Sequence, residues 1–129
     1  MSVTEPCVNS WVSFLNTQDA ATVASFLHDD IIIIAYQQGP EGPSTEHQGI
    51  AAVVAWVQYP PKDLFVFEVT STDTFETPDA ETSVDTCLSA TYQVSHTKSD
   101  FRNQGKWTFF IGEGLIRRIL HVPDALTED

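Results

Sequence analysis

The stretch Gly105–Val122, GKWTFFIGEGLIRRILHV, sets the architecture of this chain. Lys106–Ile111 is dense in aromatic and β-branched residues, and Leu115–Val122 in Leu, Ile and Val. Such side chains fit a pleated, half-buried surface. Gly112-Glu113-Gly114 between them supplies the backbone freedom of a tight turn, so the segment reads as a β-hairpin. Its second strand carries Arg117, Arg118 and His121 inside an apolar run. Strand side chains alternate between faces, so the two arginines point to opposite sides. By the same alternation His121 shares a face with Leu115, Arg117 and Ile119. That face is either a solvated outer surface or the wall of a pocket.

Working back from the hairpin, the preceding chain is also strand. Leu64–Phe75 opens with alternating bulk at Phe65, Phe67 and Val69. Ser83–Thr97 alternates throughout, with Leu88, Ala90, Tyr92, Val94 and His96 on one face. Pro78-Asp79-Ala80-Glu81 is a turn between these strands, and Ser99–Gln104 reads as a polar loop before the hairpin. A tail from Pro123 to Asp129 reads as loose.

The first half of the chain has a different period. Val8, Trp11, Val12 and Leu15 recur at helical spacing, with Ser2 or Thr4 as cap and Glu5 and Pro6 in the first turn. Asp19 suits the N-cap of a short second helix presenting Val23, Phe26 and Leu27, ended by His28-Asp29-Asp30. Ile31–Tyr36 is an unbroken apolar run, which fits a strand covered on both faces. Gln37–Ser44 holds Gly39, Pro40, Gly42 and Pro43 and is a loop. Thr45–Gln48 reads as a short strand. Gly49 leads into a third helix with Ile50, Val53, Val54 and Val57 on its apolar face, stopped by Tyr59-Pro60-Pro61. The expected fold is therefore α+β: a curved antiparallel sheet with three helices packed on one face, forming a cone with an internal pocket.

Composition narrows the function. A chain of 129 residues fits one domain, residues 1–129. A hydrophobic content of 42% is enough for a folded core. The net charge of −12 argues against nucleic acid or an anionic membrane as partner. Two cysteines, Cys7 and Cys87, make no disulfide framework and read as free thiols of a reducing cytoplasm. The opening MSVTEPCVNS has no basic region followed by an apolar core, and Ile31–Tyr36 is too short to span a bilayer.

Three stretches resemble a known superfamily. WVSFLNTQDAATVASFLHDDIIIIAY, HQGIAAVVAWV and GKWTFFIGEGLIRRI are similar to the two-helix opening and first strand, the glycine-led third helix and the terminal hairpin of the nuclear-transport-factor-2-like proteins. The branch resembled is that of the polyketide cyclases (SnoaL-like) and the ketosteroid isomerases. The resemblance implies the cone fold and a homodimer through the outer sheet face. It does not imply the steroid-isomerase mechanism. The general-base aspartate of those enzymes falls nearest Ala35, the oxyanion tyrosine nearest Trp11 and the protonated aspartate nearest Lys106. The cyclases resembled carry a polar acid–base residue deep in the cone, and His121 and His96 are its nearest equivalents by position.

The candidate catalytic residues are thus His121, Tyr36, Arg117 and His96. His121 is an acid–base candidate if its face lines the cone, and an exposed sheet residue otherwise. Tyr36 could hold a carbonyl oxygen, or could be a core tyrosine with its hydroxyl at the rim. Arg117 or Arg118 could meet an oxygen in the pocket, the other lying outside. His96 ends the apolar face of its strand, at the pocket mouth or on the surface. Asp29 and Asp30 read as a solvated turn. Trp11, Trp56, Phe65, Phe67, Tyr92, Trp107 and Phe110 are candidates to contact a flat apolar molecule, and otherwise form the core. The histidines, His28, His47, His96 and His121, show no metal-ligand spacing. No phosphate loop, nucleophile elbow or CxxC is present. The expected function is a cofactor-independent enzyme that moves protons on a hydrophobic oxygenated small molecule of polyketide, terpenoid or steroid type. The alternative is a binding or dimerisation module of the same fold without chemistry.

Overall fold

The computed structural model describes residues 4–36, 43–59, 64–75 and 86–124. Helix α1 spans Thr4–Thr17, strand β1 Leu27–Tyr36, β2 Ser44–Gln48, helix α2 Ile50–Val57, and strands β3 to β6 Phe65–Phe75, Thr86–His96, Arg102–Gly112 and Leu115–Pro123. The strands form one open, curved sheet of order β2-β1-β6-β5-β4-β3. The sheet is mixed, not antiparallel throughout as expected: β3 to β6 are an antiparallel meander, but β1 lies beside β6 in parallel, a pairing that the long connection through α2 and β3 to β5 permits. Helix α1 packs toward β3 and β4, and α2 toward β1 and β2.

The closing hairpin forms as the sequence predicts. Glu113 and Gly114 have φ of 56° and 79°, and Gly112 pairs with Leu115. Two successive left-handed residues match the right-handed twist of the flanking strands. Buried Cys7 of α1 donates its thiol to the Gly114 carbonyl at 3.5 Å, tying the helix to this turn.

Among the described residues the expected three helices are two. Val23–Ser25 is a single 3-10 turn, and the short second helix does not form. The cause is local competition. Asp19 Oδ1 accepts from the Ala21 N–H, and the Ser25 hydroxyl bonds the Thr22 carbonyl. Short polar side chains here satisfy the backbone without a helix. Leu27–Asp30, read as the end of that helix, opens β1 instead. The His28 ring accepts from the Asp30 N–H, and the pairing of β1 with β6 shifts between Leu27 and Ile32.

Three further expectations change. Ile31–Tyr36 does alternate: Ile31, Ile33 and Ala35 are buried, whereas Ile32, Ile34 and Tyr36 are half-buried. The polar loop ends early, because Arg102, Asn103 and Gln104 already pair with Ser95, Val94 and Gln93. Pro123 belongs to β6. Ser2, residues 37–42, Pro60 and Pro61, residues 78–81 and 83–85, and the tail 125–129 lie outside the described residues.

Asn16 locks the edge of the sheet. Its amide nitrogen donates to the Phe67 carbonyl at 3.0 Å, and its oxygen accepts from the Phe67 N–H at 2.7 Å. One side chain at the end of α1 thereby supplies both hydrogen bonds that edge strand β3 offers at Phe67.

Candidate functional site

The inner face of the sheet is built from rings set against small residues. Trp107 of β5 pairs across the ladder with Ala90 of β4, Tyr92 of β4 with Gly105 of β5, and His121 of β6 with Ala35 of β1. Each ring is given room by a small neighbour, so the rings lie over the sheet. Tyr92 and Trp107 stack with centroids 4.3 Å apart and planes 15° from parallel. His121 continues the stack, 5.6 Å from Tyr92 at 18°. Trp56 of α2 meets His121 edge-on at 5.2 Å, and Phe67 of β3 packs against both Tyr92 and Trp107. Offset and edge-on ring pairs of this kind are favourable beyond the area they bury.

This array walls a cavity of about 460 Å³ between the sheet and the ends of the two helices. Leu15 and Gln18 close it from α1, Trp56, Val57 and Tyr59 from α2, Phe65 and Phe67 from β3, and His121 and Pro123 from β6. No Lys, Arg, Asp or Glu is on its wall among the described residues. The helix ends are clasped across the rim. Gln18 Nε2 donates to the Val57 carbonyl at 3.2 Å, and Gln58 Nε2 to the Gln18 carbonyl at 2.9 Å.

His121 is a half-buried polar ring of this wall. Trp107 Nε1–H donates to its Nδ1 at 2.9 Å. Burial of the ring pushes its pKa down to about 4 from 6.5, because desolvation penalises the imidazolium. Tyr92 is raised well above the ordinary tyrosine range, first by burial and then by the carboxylate of Asp124. Both side chains are therefore uncharged near neutral pH. Cys7, by contrast, is raised by burial alone and lies beside the hairpin turn, not on the cavity wall.

The residues singled out from the sequence separate into two groups. His121, Trp56, Phe65, Phe67 and Tyr92 meet on the cavity wall. Trp107 is fully buried directly behind Tyr92 and His121, and Trp11 lies edge-on behind Trp107 at 6.4 Å. The others lie elsewhere. Tyr36 follows Ala35 and takes the opposite face of β1. His96 sits behind Phe65, ring edge to ring at 5.3 Å, with Nδ1 accepting from the Lys98 N–H. Phe110 lies under the Arg118 guanidinium, 5.5 Å away. Arg117 stands at a bulge: Arg118 pairs with Phe110 and Ile116 with Ile111, leaving Arg117 as the extra residue. It contacts Glu113 at 3.5 Å instead of the cavity. The bulge also moves Ile116 onto the buried face with Ile119 and His121, so Arg117 and His121 do not share the face that simple alternation assigns.

Sequence reasoning passed over Leu15, Gln18, Val57, Tyr59, Val94, Asn103 and Pro123. Leu15, Val57 and Val94 carry the apolar signal but read as core. Gln18 carries one usable signal, its position at the end of α1, where it adopts φ of 57°. Among the described residues, no group of three or more His, Cys, Asp or Glu could hold a metal ion. No helix among them is long and apolar enough to cross a membrane.

No protein-family model and no curated protein matches this sequence. Solved structures do match. A candidate ketosteroid isomerase from Kribbella flavida is 17% identical, with a TM-score of 0.68 over 98% of this chain and 82% of its own. A candidate polyketide cyclase from Sinorhizobium meliloti is also 17% identical, with a TM-score of 0.64 over 93% of this chain and 98% of its own. Nuclear transport factor 2 from Cryptosporidium parvum is 15% identical, with a TM-score of 0.70 over 95% of this chain and 92% of its own. The chain has the nuclear-transport-factor-2-like, cystatin-like α+β fold. A fold shared at this level of identity fixes architecture and leaves chemistry to the site.

Proposed function

We propose that, on this nuclear-transport-factor-2-like fold, the cavity receives an uncharged, hydrophobic, oxygen-bearing small molecule and that His121 meets its oxygen. The observation that carries this reading is an imidazole set in a wall of mostly aromatic and aliphatic side chains, whose other polar groups are the amides of Gln18 and Asn103 and the phenols of Tyr59 and Tyr92. A cavity of about 460 Å³ has the size of a small-molecule site. Walls without a charged group disfavour an ionic ligand, whose desolvation nothing would offset. Two structures of the same fold are a candidate ketosteroid isomerase and a candidate polyketide cyclase.

The enzyme reading makes His121 the group that assists proton transfer, with Tyr92 as the second polar ring on the wall. A binding module without chemistry is the other reading, and one observation favours it: among the described residues the cavity wall carries no carboxylate to act as base. A homodimer through the outer sheet face, where Ile32, Ile34, Phe110 and Leu120 are half-buried, accompanies either reading. Sedimentation at micromolar concentration checks that point.

The test of the site is a titration of the protein with uncharged naphthyl and polycyclic ketones, followed by NMR of the histidine rings. The expected result is a shift confined to His121, abolished when Val57→Trp fills the cavity. Shifts in every histidine or in none, or binding untouched by the Val57→Trp change, would overturn the assignment.

A further inference from the structure

We propose that Trp107 is a positioning residue that fixes His121 as a hydrogen-bond donor, so that the cavity selects molecules presenting an acceptor oxygen, such as a ketone, at its His121 end. The inference rests on the reading of the cavity as a small-molecule site and names the kind of molecule.

The argument begins with what an indole can do. Trp Nε1–H is a donor only. The partner of Trp107 at 2.9 Å is His121 Nδ1, which must then be the accepting, unprotonated nitrogen. In a neutral imidazole the proton is consequently on Nε2. Buried side-chain nitrogens and oxygens without a partner, among the described residues, are Trp11 Nε1 and Arg117 Nε. His121 Nε2 has no partner among the described residues and is not one of these, so it is open, and the space that His121 borders is the cavity. The cavity therefore meets an N–H at this point, not a lone pair.

The alternative tautomer is costly here. A proton on Nδ1 would point at the indole N–H, donor against donor, inside a wall of rings. Trp107 cannot turn away, because it is fully buried and held by Tyr92 on one side and Trp11 on another. The Ala90 opposite Trp107 and the Ala35 opposite His121 let both rings keep these positions. An imidazolium is excluded for the same reason, since both of its nitrogens donate. His121 therefore polarises an oxygen by donation, as a fixed electrophile, and does not take a proton through Nε2.

Long-range nitrogen–proton correlation of the uniformly ¹⁵N-labelled protein at neutral pH reads the tautomer directly. The expected result is Nε2 protonated and Nδ1 bare. A protonated Nδ1 would overturn the inference without any ligand. Acetylnaphthalene and ethylnaphthalene, which differ by the ketone oxygen, then probe selectivity. The ketone should bind about threefold to tenfold more tightly, the worth of one neutral hydrogen bond. Trp107→Phe, which keeps the ring and removes the donor, should bring the ratio toward parity and mix the tautomers of His121. Equal affinities in the unmodified protein, or a ratio unchanged in Trp107→Phe, would sink the proposal. If neither compound binds, the reading of the cavity fails. The spectrum of the unmodified protein still decides the role of Trp107, even where Trp107→Phe does not fold.

Discussion

The hydroxyl of Tyr92 occupies the space that a side chain at Gly105 would enter: a Cβ there would stand 2.6 Å from Tyr92 Oη. The same Cβ would lie 2.6 Å from the Val122 carbonyl oxygen and 2.7 Å from Pro123 Cα. The phenol can shift, but two of the three obstacles are backbone of β6, which cannot. Gly105→Ala should therefore destabilise the protein by about 1–3 kcal/mol, the usual cost of overpacking. Urea denaturation measures it. Tyr92→Phe in the same background should recover only part of the loss, since the clash with β6 remains.

Asn16 gives a second prediction. Removing its amide leaves the Phe67 N–H and carbonyl without their partners in a part-buried setting. Asn16→Ala should cost about 2–3 kcal/mol, because two backbone groups lose bonds at once. Asn16→Asp keeps the acceptor for the N–H and loses the donor to the carbonyl, so it should fall between. Equal stability of all three proteins would show that water replaces the amide at no cost.

The pH dependence of stability follows from His121. Its folded pKa, about 4, lies below the 6.5 of a free ring. Between those values the unfolded chain holds a proton that the folded chain does not, so acid favours unfolding. The contribution is complete above about pH 6.5, falls as the pH drops, and is lost by about pH 4. Its size is on the order of 3 kcal/mol. The side chains packed round the ring, Ala35, Trp56, Tyr92 and Trp107, include one other titratable group, Tyr92, which does not ionise in this range. Urea midpoints at pH 7, 5.5 and 4 should decline, and His121→Gln should flatten this part of the decline. An unchanged slope in His121→Gln would place the acid sensitivity elsewhere.

The hairpin, the glycine-led helix and the order of strands are legible in the sequence because each rests on local chemistry. Glu113-Gly114 carries its own turn, Gly49 its own helix start at φ of 90°, and Leu88-Ala90-Tyr92 its own alternation. The missing second helix is not legible in the same way. Its apolar spacing at Val23, Phe26 and Leu27 is real, but Asp19 and Ser25 spend their side chains on turns. The site is half legible. A ring can be placed on a face by alternation, but which rings border open space depends on the ends of α1 and α2, brought together by Gln18 and Gln58. Neither glutamine has a pattern that announces this pairing.

The bulge in β6 marks the limit of alternation and provides the last prediction. Ile116 and Ile119 are both fully buried although they are three residues apart, an odd spacing that a regular strand would send to opposite faces. Arg117 is the residue that absorbs the difference. Two changes at this position should then both be tolerated. Arg117→Ala keeps the extra residue and loses the contact with Glu113, whose side chain is 78% exposed. Such a pair contributes little, so the cost should stay below about 1 kcal/mol. Deleting Arg117 removes the bulge and leaves Ile116 and Ile119 two residues apart, a spacing that a regular strand keeps on one face, so both isoleucines and His121 stay inside. Denaturation of the two variants side by side measures this, with both midpoints expected near that of the unmodified protein. A loss of roughly 1.5–3 kcal/mol in the deletion variant alone, the worth of one exposed isoleucine, would mean that the inward placement of Ile116 or His121 depends on the bulge itself.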